Sequence, residues 1–166
     1  MRPGARGLAS RECPPVDWQP RPASTDDRMA HHALEGGCFC RAIRYRLTER
    51  PHGSMVCHCR TCRSLFAAPV VAWLSVPAAH FAFTQGTPHT FSTSAPITRW
   101  FCGHCGTHVA YASQDEPDFV EVSTCSLDDP AATPPTHHSW LSHDLPWTRF
   151  GDGLPTFPRS RHDGAA

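Results

Sequence analysis

Cys102-Gly103-His104-Cys105-Gly106 sets two thiols two residues apart and follows them with a glycine. Two thiolates in a tight turn can reach one metal ion together, and a glycine able to take positive φ turns backbone N–H groups toward the sulfurs. Such a knuckle supplies half of a tetrahedral site. The chain holds a second pair at Cys38-x-Cys40. In an extended strand, residues two apart point to one side, so Cys38 and Cys40 are expected on a strand, sharing one ion with Cys102 and Cys105. That junction closes a loop of roughly sixty residues and ties an early strand to a late one. Zinc held by four thiolates has no open position, and its expected role is structural.

Cys57-His58-Cys59-Arg60-Thr61-Cys62 packs three thiols into six residues. Kept together, Cys57, Cys59 and Cys62 give a second zinc three ligands and leave one position for water or an external thiol, the pattern of a catalytic ion. The expectation is two Zn²⁺ per chain. A protein ligand closing the second site would come from His58, His104 or Cys125. His58 lies between two ligands, so in an extended segment its ring points away from the metal. Cys125 ends a strand pattern and reads as a small buried core residue. Cys13 stands alone and reads as a spare thiol, and His137, His138 and His143 read as polar surface or loop residues. Arg60 and Arg63 flank the trio, placed either to offset its negative charge and grip a substrate carboxylate, or simply to be solvated.

The remaining composition fits a small β domain. The chain has 166 residues with 17 Pro, 11 Gly and 18% charged residues, which favours short strands and turns over long helices. Ala42 to Leu47, Val70 to Leu74, Val109 to Tyr111 and Phe119 to Val122 read as strands. Phe81-Ala82-Phe83 and Thr90-Phe91-Ser92 flank Gly86 and Pro88 and read as a hairpin. Leu127 to Pro130 is a turn, and Trp140, Trp147 and Phe150 sit in a Pro-rich segment expected to wrap the sheet. Residues 1–33 read as a flexible extension, 34–157 as one zinc-binding domain and 158–166 as a fraying tail. A formal net charge of zero, with no basic block, argues against nucleic acid or an anionic membrane as partner. No apolar run is long enough to span a bilayer, and nine cysteines without a signal peptide read as metal ligands in the cytoplasm.

Gly36 to Tyr45, Cys57 to Arg63 and Arg99 to Thr107 together resemble the glutathione-dependent formaldehyde-activating enzyme family, which includes the centromere protein V type domain. Ser126-Leu127-Asp128-Asp129-Pro130, Trp140 and Trp147 fit the same pattern, so the resemblance spans roughly residues 34 to 157. It implies a β-tent of antiparallel sheets joined through zinc, with a structural ion on Cys38, Cys40, Cys102 and Cys105 and a catalytic one on Cys57, Cys59 and Cys62. The implied reaction is reversible condensation of glutathione with formaldehyde, a carbon–sulfur lyase chemistry, with the thiolate taking the open position. Arg41 stands where the family usually has Gly, Ala67 where the trio is often followed by Gly-Ala, and Cys125 where Gly is common. The competing expectation is a non-catalytic, zinc-stabilised binding module.

Overall fold

Val71-Ala72-Trp73-Leu74-Ser75-Val76 leaves neither side of its strand fit for water. Val71 and Trp73 are buried on one side, and Leu74 and Val76 on the other. Such a strand must lie mid-sheet with cover on both faces. The computed structural model, which describes residues 33–162, places it there. In chain order the strands are β1 (Leu34–Gly37), β2 (Arg44–Leu47), β3 (Gly53–Cys57), β4 (Val71–Pro77), β5 (Phe81–Gln85), β6 (His89–Ser94), β7 (Ile97–Phe101), β8 (His108–Ser113), β9 (Glu116–Ser123) and β10 (His138–Ser139). One α-helix, α1 (Arg60–Phe66), follows β3. The chain is mainly β, and its strands form a three-stranded sheet, β1-β2-β5, and a seven-stranded sheet, β10-β3-β4-β9-β8-β7-β6.

The main core lies between the sheets. Tyr45, Leu47 and Phe81 of the small sheet meet Leu74, Val76, Trp100, Ala110, Val120 and Val122 of the large one. The opposite face of the large sheet carries a second cluster of Val71, Trp73, Cys57 and Cys62, covered by Phe66 of α1 and by Trp140. Antiparallel register builds rows across this outer face: Cys57 opposes Val71, Trp73 stands between Met55 and Ser123, and Ser75, Glu121, Tyr111 and Arg99 follow in line.

The segment after β9 joins the sheets. Leu127 enters the core, Asp128 accepts two hydrogen bonds from the Arg44 guanidinium, and the Asp129 carboxylate caps the 3₁₀ turn Pro130–Ala132 by accepting from the Ala131 N–H at 3.1 Å. Gly36 bridges Leu127 at the seam. A Cβ there would stand 2.3 Å from the Tyr45 hydroxyl and 2.5 Å from the Ser126 carbonyl.

The sequence hairpin is not formed. β5 pairs with β2 in the small sheet and β6 with β7 in the large one, so the Gly86–Pro88 turn carries the chain between sheets. The strand at Val71 runs through Pro77 and passes directly into a 3₁₀ turn at Ala78. The wrapping segment does lie on the sheet: β10 pairs with β3, in parallel, and residues 155–159 continue that edge. Fraying does not set in at Pro158, since Ser142 N–H donates to its carbonyl at 3.1 Å and Trp140 N–H donates to Arg159 O at 3.1 Å. The expected N-terminal extension and Cys13 lie outside the described residues.

Two of the positions where the family usually has Gly prove to be left-handed: Arg41 at φ 64 and Ala67 at φ 49. Ala67 is the C-cap of α1, where a side chain is strained. Ala67→Gly is expected to raise stability by about 0.5–1 kcal/mol in urea denaturation. Gly36→Ala is expected to lower it by about 3 kcal/mol in the same measurement, because backbone and a buried ring must both move.

Candidate metal centres

The two cysteine groups assemble as their spacing implies, but on different local structures. Cys38 and Cys40 lie in the turn after β1, not on a strand. Arg41, in the left-handed region, donates its N–H to Cys38 O at 2.9 Å and folds the pair back on itself. The facing turn carries Cys102 and Cys105, closed by Gly106 at φ 74, whose N–H donates to Cys102 O at 2.8 Å. The four sulfurs lie within 4.8 Å of one another, with Cys40 and Cys102 3.7 Å apart. Ile43 N–H donates to Cys38 Sγ at 3.2 Å, and the Thr107 hydroxyl lies 3.2 Å from Cys105 Sγ. That hydroxyl and the backbone N–H groups around it bring the Cys105 thiol down to about 5.

The trio sits on the outer face of the large sheet. Cys57 ends β3, Cys59 caps α1 and Cys62 lies in its first turn. A seven-residue helix is too short to show periodicity, and the sequence reading misses it. The three sulfurs lie within 4.8 Å of one another. Cys59 is the site of first ionisation, at about 2, because Cys57 and Cys62 direct their S–H groups toward it and the N–H groups of Cys62 and Thr61 add to them. Cys57 is raised strongly by its thiol neighbours and by burial. Cys62 is drawn down by Cys57, but the Cys59 charge and burial outweigh that and push it up to about 11. One negative charge is therefore tolerated and three are not, unless a cation joins the group. Both cysteine groups could hold a metal ion.

His58, His104 and Cys125 lie in neither group. His58 turns its ring away from the trio, as expected, and buries it. His104 is exposed. Cys125 is exposed too, correcting its reading as a core residue: the strand ends at Ser123, and a 3₁₀ turn buries Thr124 and Ser126 while turning Cys125 outward. His137 and His138 are buried, against the surface reading, because β10 inserts them beside β3.

These histidines form a chain that sequence spacing does not reveal. His58 Nδ1 lies 2.9 Å from Asp144 Oδ1, His58 Nε2 lies 2.8 Å from His138 Nδ1, and His138 Nε2 lies 2.9 Å from Asp152 Oδ2. Ionised carboxylates only accept, so the two outer ring nitrogens donate. The chain fastens the segment 137–152 to the residue between Cys57 and Cys59. Arg63 strengthens this tie by donating to the His143 carbonyl, so it is not solvated as one reading had it, while Arg60 is exposed. The buried cation that acts on the trio is Arg99, whose guanidinium lies 4.5 Å over the Tyr111 ring and lowers the pKa of Cys62. In the sequence Arg99 shows only as the first residue of the Arg99 to Thr107 stretch.

Comparison with known proteins matches this arrangement to a family. The model of a family described as glutathione-dependent formaldehyde-activating enzyme covers residues 33–143. The chain belongs to this family. A curated relative from Halomonas elongata, provisionally named a glutathione-dependent formaldehyde-activating enzyme, is 25% identical over 126 residues, covering 70% of this chain and 80% of its own. A crystal structure of a Rhodobacter sphaeroides protein superposes with a TM-score of 0.47 at 21% identity, over 59% of this chain and 93% of that one. The family match takes in both cysteine groups and stops at His143, short of Asp152, which closes the histidine chain. No helix among the described residues is long and apolar enough to cross a membrane.

His138→Ala is expected to cost about 3 kcal/mol in chemical denaturation, since it leaves a cavity and a buried His58 nitrogen without a partner. Asp152→Asn, at the exposed end of the chain, is expected to cost much less.

Proposed function

We propose that this chain is a zinc-dependent carbon–sulfur lyase that reversibly joins a small thiol, such as glutathione, to formaldehyde or a related small aldehyde. The observation that carries this reading is the trio: Cys57, Cys59 and Cys62 converge with no fourth protein donor beside them among the described residues. The donor set fits zinc, because three crowded soft sulfurs need a cation to ionise together. Zinc held there would supply Lewis acidity that lowers the pKa of an incoming thiol. Cys38, Cys40, Cys102 and Cys105 would hold a second, structural zinc between the two sheets. All eight described cysteines are free, in keeping with a reducing compartment such as the cytoplasm.

The reaction balances without an oxidant. The thiol sulfur forms a bond to the aldehyde carbon, the C=O π bond opens, and the thiol proton ends on the new hydroxyl oxygen. The reverse step breaks the C–S bond. This chain's residues hold the reacting region in place. Trp73, Phe66 and Tyr111 keep water from one flank of the trio, Phe66 standing edge-on to Trp73 at 5.4 Å between ring centres. Arg99 offsets part of the thiolate charge, and the Asp144–His58–His138–Asp152 chain fixes the strand end that carries Cys57.

Elemental analysis of protein purified without chelator is expected to give two zinc ions per chain; one per chain removes the catalytic site. Exchange spectroscopy by NMR, with formaldehyde and glutathione at equilibrium, is expected to show faster interconversion with protein present. Cys59→Ser is expected to lower that rate roughly a hundredfold or more while the fold persists. Cys105→Ser is expected to cause aggregation instead. Equal losses of thermal stability in the two variants would make both sites structural and favour a non-catalytic zinc-stabilised module.

A further inference from the structure

A cleft of ≈ 460 Å³ opens beside the start of β3, at the opposite end of that strand from Cys57. It forms where the turn before β3, the start of β1, residues 132–136 and Arg161 of the C-terminal segment meet. Gly53 begins β3 and Cys57 ends it, so at about 3.3 Å per residue the cleft stands roughly 13 Å from the trio. None of its lining residues belongs to either cysteine group.

The charges of this cleft do not balance. Arg50 and Arg161 both line it, and no carboxylate does. Neither guanidinium forms an ion pair among the described residues. Arg161 also lines the neighbouring cleft on the outer face, which holds Asp115, Glu116, Asp118 and Glu121, yet none of these four comes within ion-pair distance of it. Its guanidinium lies beside Gly53 instead: a Cβ there would stand 3.3 Å from Arg161 Nη2, so the missing side chain leaves the cation its place. The third basic group, His52, is matched by Glu49 at 3.2 Å, and the other oxygen of Glu49 faces His80 at 2.9 Å. Two permanent positive charges are left uncompensated.

Both arginines are exposed, and solvated arginines alone need no ligand. What singles this pair out is the hollow they share. Ala33, Leu34, Pro51, Ala132 and Pro134 make much of the remaining wall apolar. Two of its hydroxyls are already spent, since Ser54 Oγ donates to Thr133 O at 3.3 Å and Thr136 Oγ1 donates to Ser54 O at 2.9 Å. An apolar hollow of this size with two unpaired guanidiniums suits a ligand with an apolar body and a strongly anionic end. A dianion suits it better than a monoanion, because it neutralises both arginines.

We propose that this cleft is a binding site, separate from the cysteine trio, for a small organic dianion, a phosphate monoester or a dicarboxylate, held by Arg50 and Arg161. The guanidinium fork matches either oxyanion. One arginine precedes β3 and the other follows β10, so the bound dianion pins the C-terminal segment to the turn before β3.

Calorimetric titration of the zinc-loaded full chain with phenyl phosphate, in buffer free of phosphate and sulfate, tests this. Saturable binding is expected, at least about tenfold tighter than that of inorganic phosphate, which lacks the apolar body. Arg50→Gln and Arg161→Gln are each expected to weaken it about tenfold, whereas Arg149→Gln, which removes an equal charge outside the cleft, is expected to change it less than about twofold. Should a glutamine variant fail to fold, the lysine variant at the same position keeps the charge, loses the fork and is expected to bind several-fold more weakly than wild type. Phthalate, a dicarboxylate on the same ring, separates the two chemistries: whichever of the two probes binds tighter names the class. No saturable binding, an affinity unchanged in both arginine variants, or an equal loss in Arg149→Gln would overturn the proposal. Displacement of phenyl phosphate by S-methylglutathione would overturn it too, by making the cleft part of the thiol site.

Discussion

Three thiols within 4.8 Å of one another cannot all ionise unless a cation joins them, and much of the outer face of this protein is arranged around that constraint. Cys59 takes the first charge because Cys57 and Cys62 direct their S–H groups at it, helped by the backbone N–H groups at the start of α1. Arg99 lends a buried positive charge from β7, four strands along the sheet from β3. The histidine chain clamps the residue between Cys57 and Cys59 from the opposite side. Each of these is costly in isolation: a buried guanidinium, a buried imidazole pair, a thiolate at a helix start. Together they offset one another.

The two cysteine groups occupy different mechanical positions. The quartet joins two turns, one after β1 and one after β7, at the edge of the core between the sheets, and so ties the small sheet to the large one. The trio lies across the large sheet from that core, within a smaller aromatic cluster, where movement of α1 or of the segment 137–152 does not disturb the inter-sheet packing. The two groups can coexist in so small a chain because β4 and β9 keep a layer of side chains between them.

Much of the fold was legible in the sequence, and the failures share a cause. Cysteine spacing gave both groups, a β-branched apolar run gave β4, and alternation gave β9. Local signals could not say which sheet a strand joins: Gly86 and Pro88 mark a turn correctly, yet β5 and β6 part at it because each finds a better partner elsewhere. Nor could they give burial set by distant contacts. His138 reads as a surface residue until β10 docks on β3, and Cys125 reads as core until the 3₁₀ turn rotates it outward. Arg41 and Ala67 were visible only as departures from a glycine pattern; the backbone shows that both occupy left-handed positions, so the pattern was reporting φ.

The edges of the large sheet are unlike each other. At one, residues 155–159 lie along β10 with Pro158, which has no N–H and whose carbonyl already accepts from Ser142 N–H. At the other, β6 is bonded only through β7 among the described residues. Among the described residues, strand addition is therefore open at β6 and hindered at the β10 edge. A chain with two open edges can be extended without end, whereas this one is a terminator as well as an acceptor: two copies meeting through β6 would leave a blocked edge at each end, and sheet growth would stop at the pair.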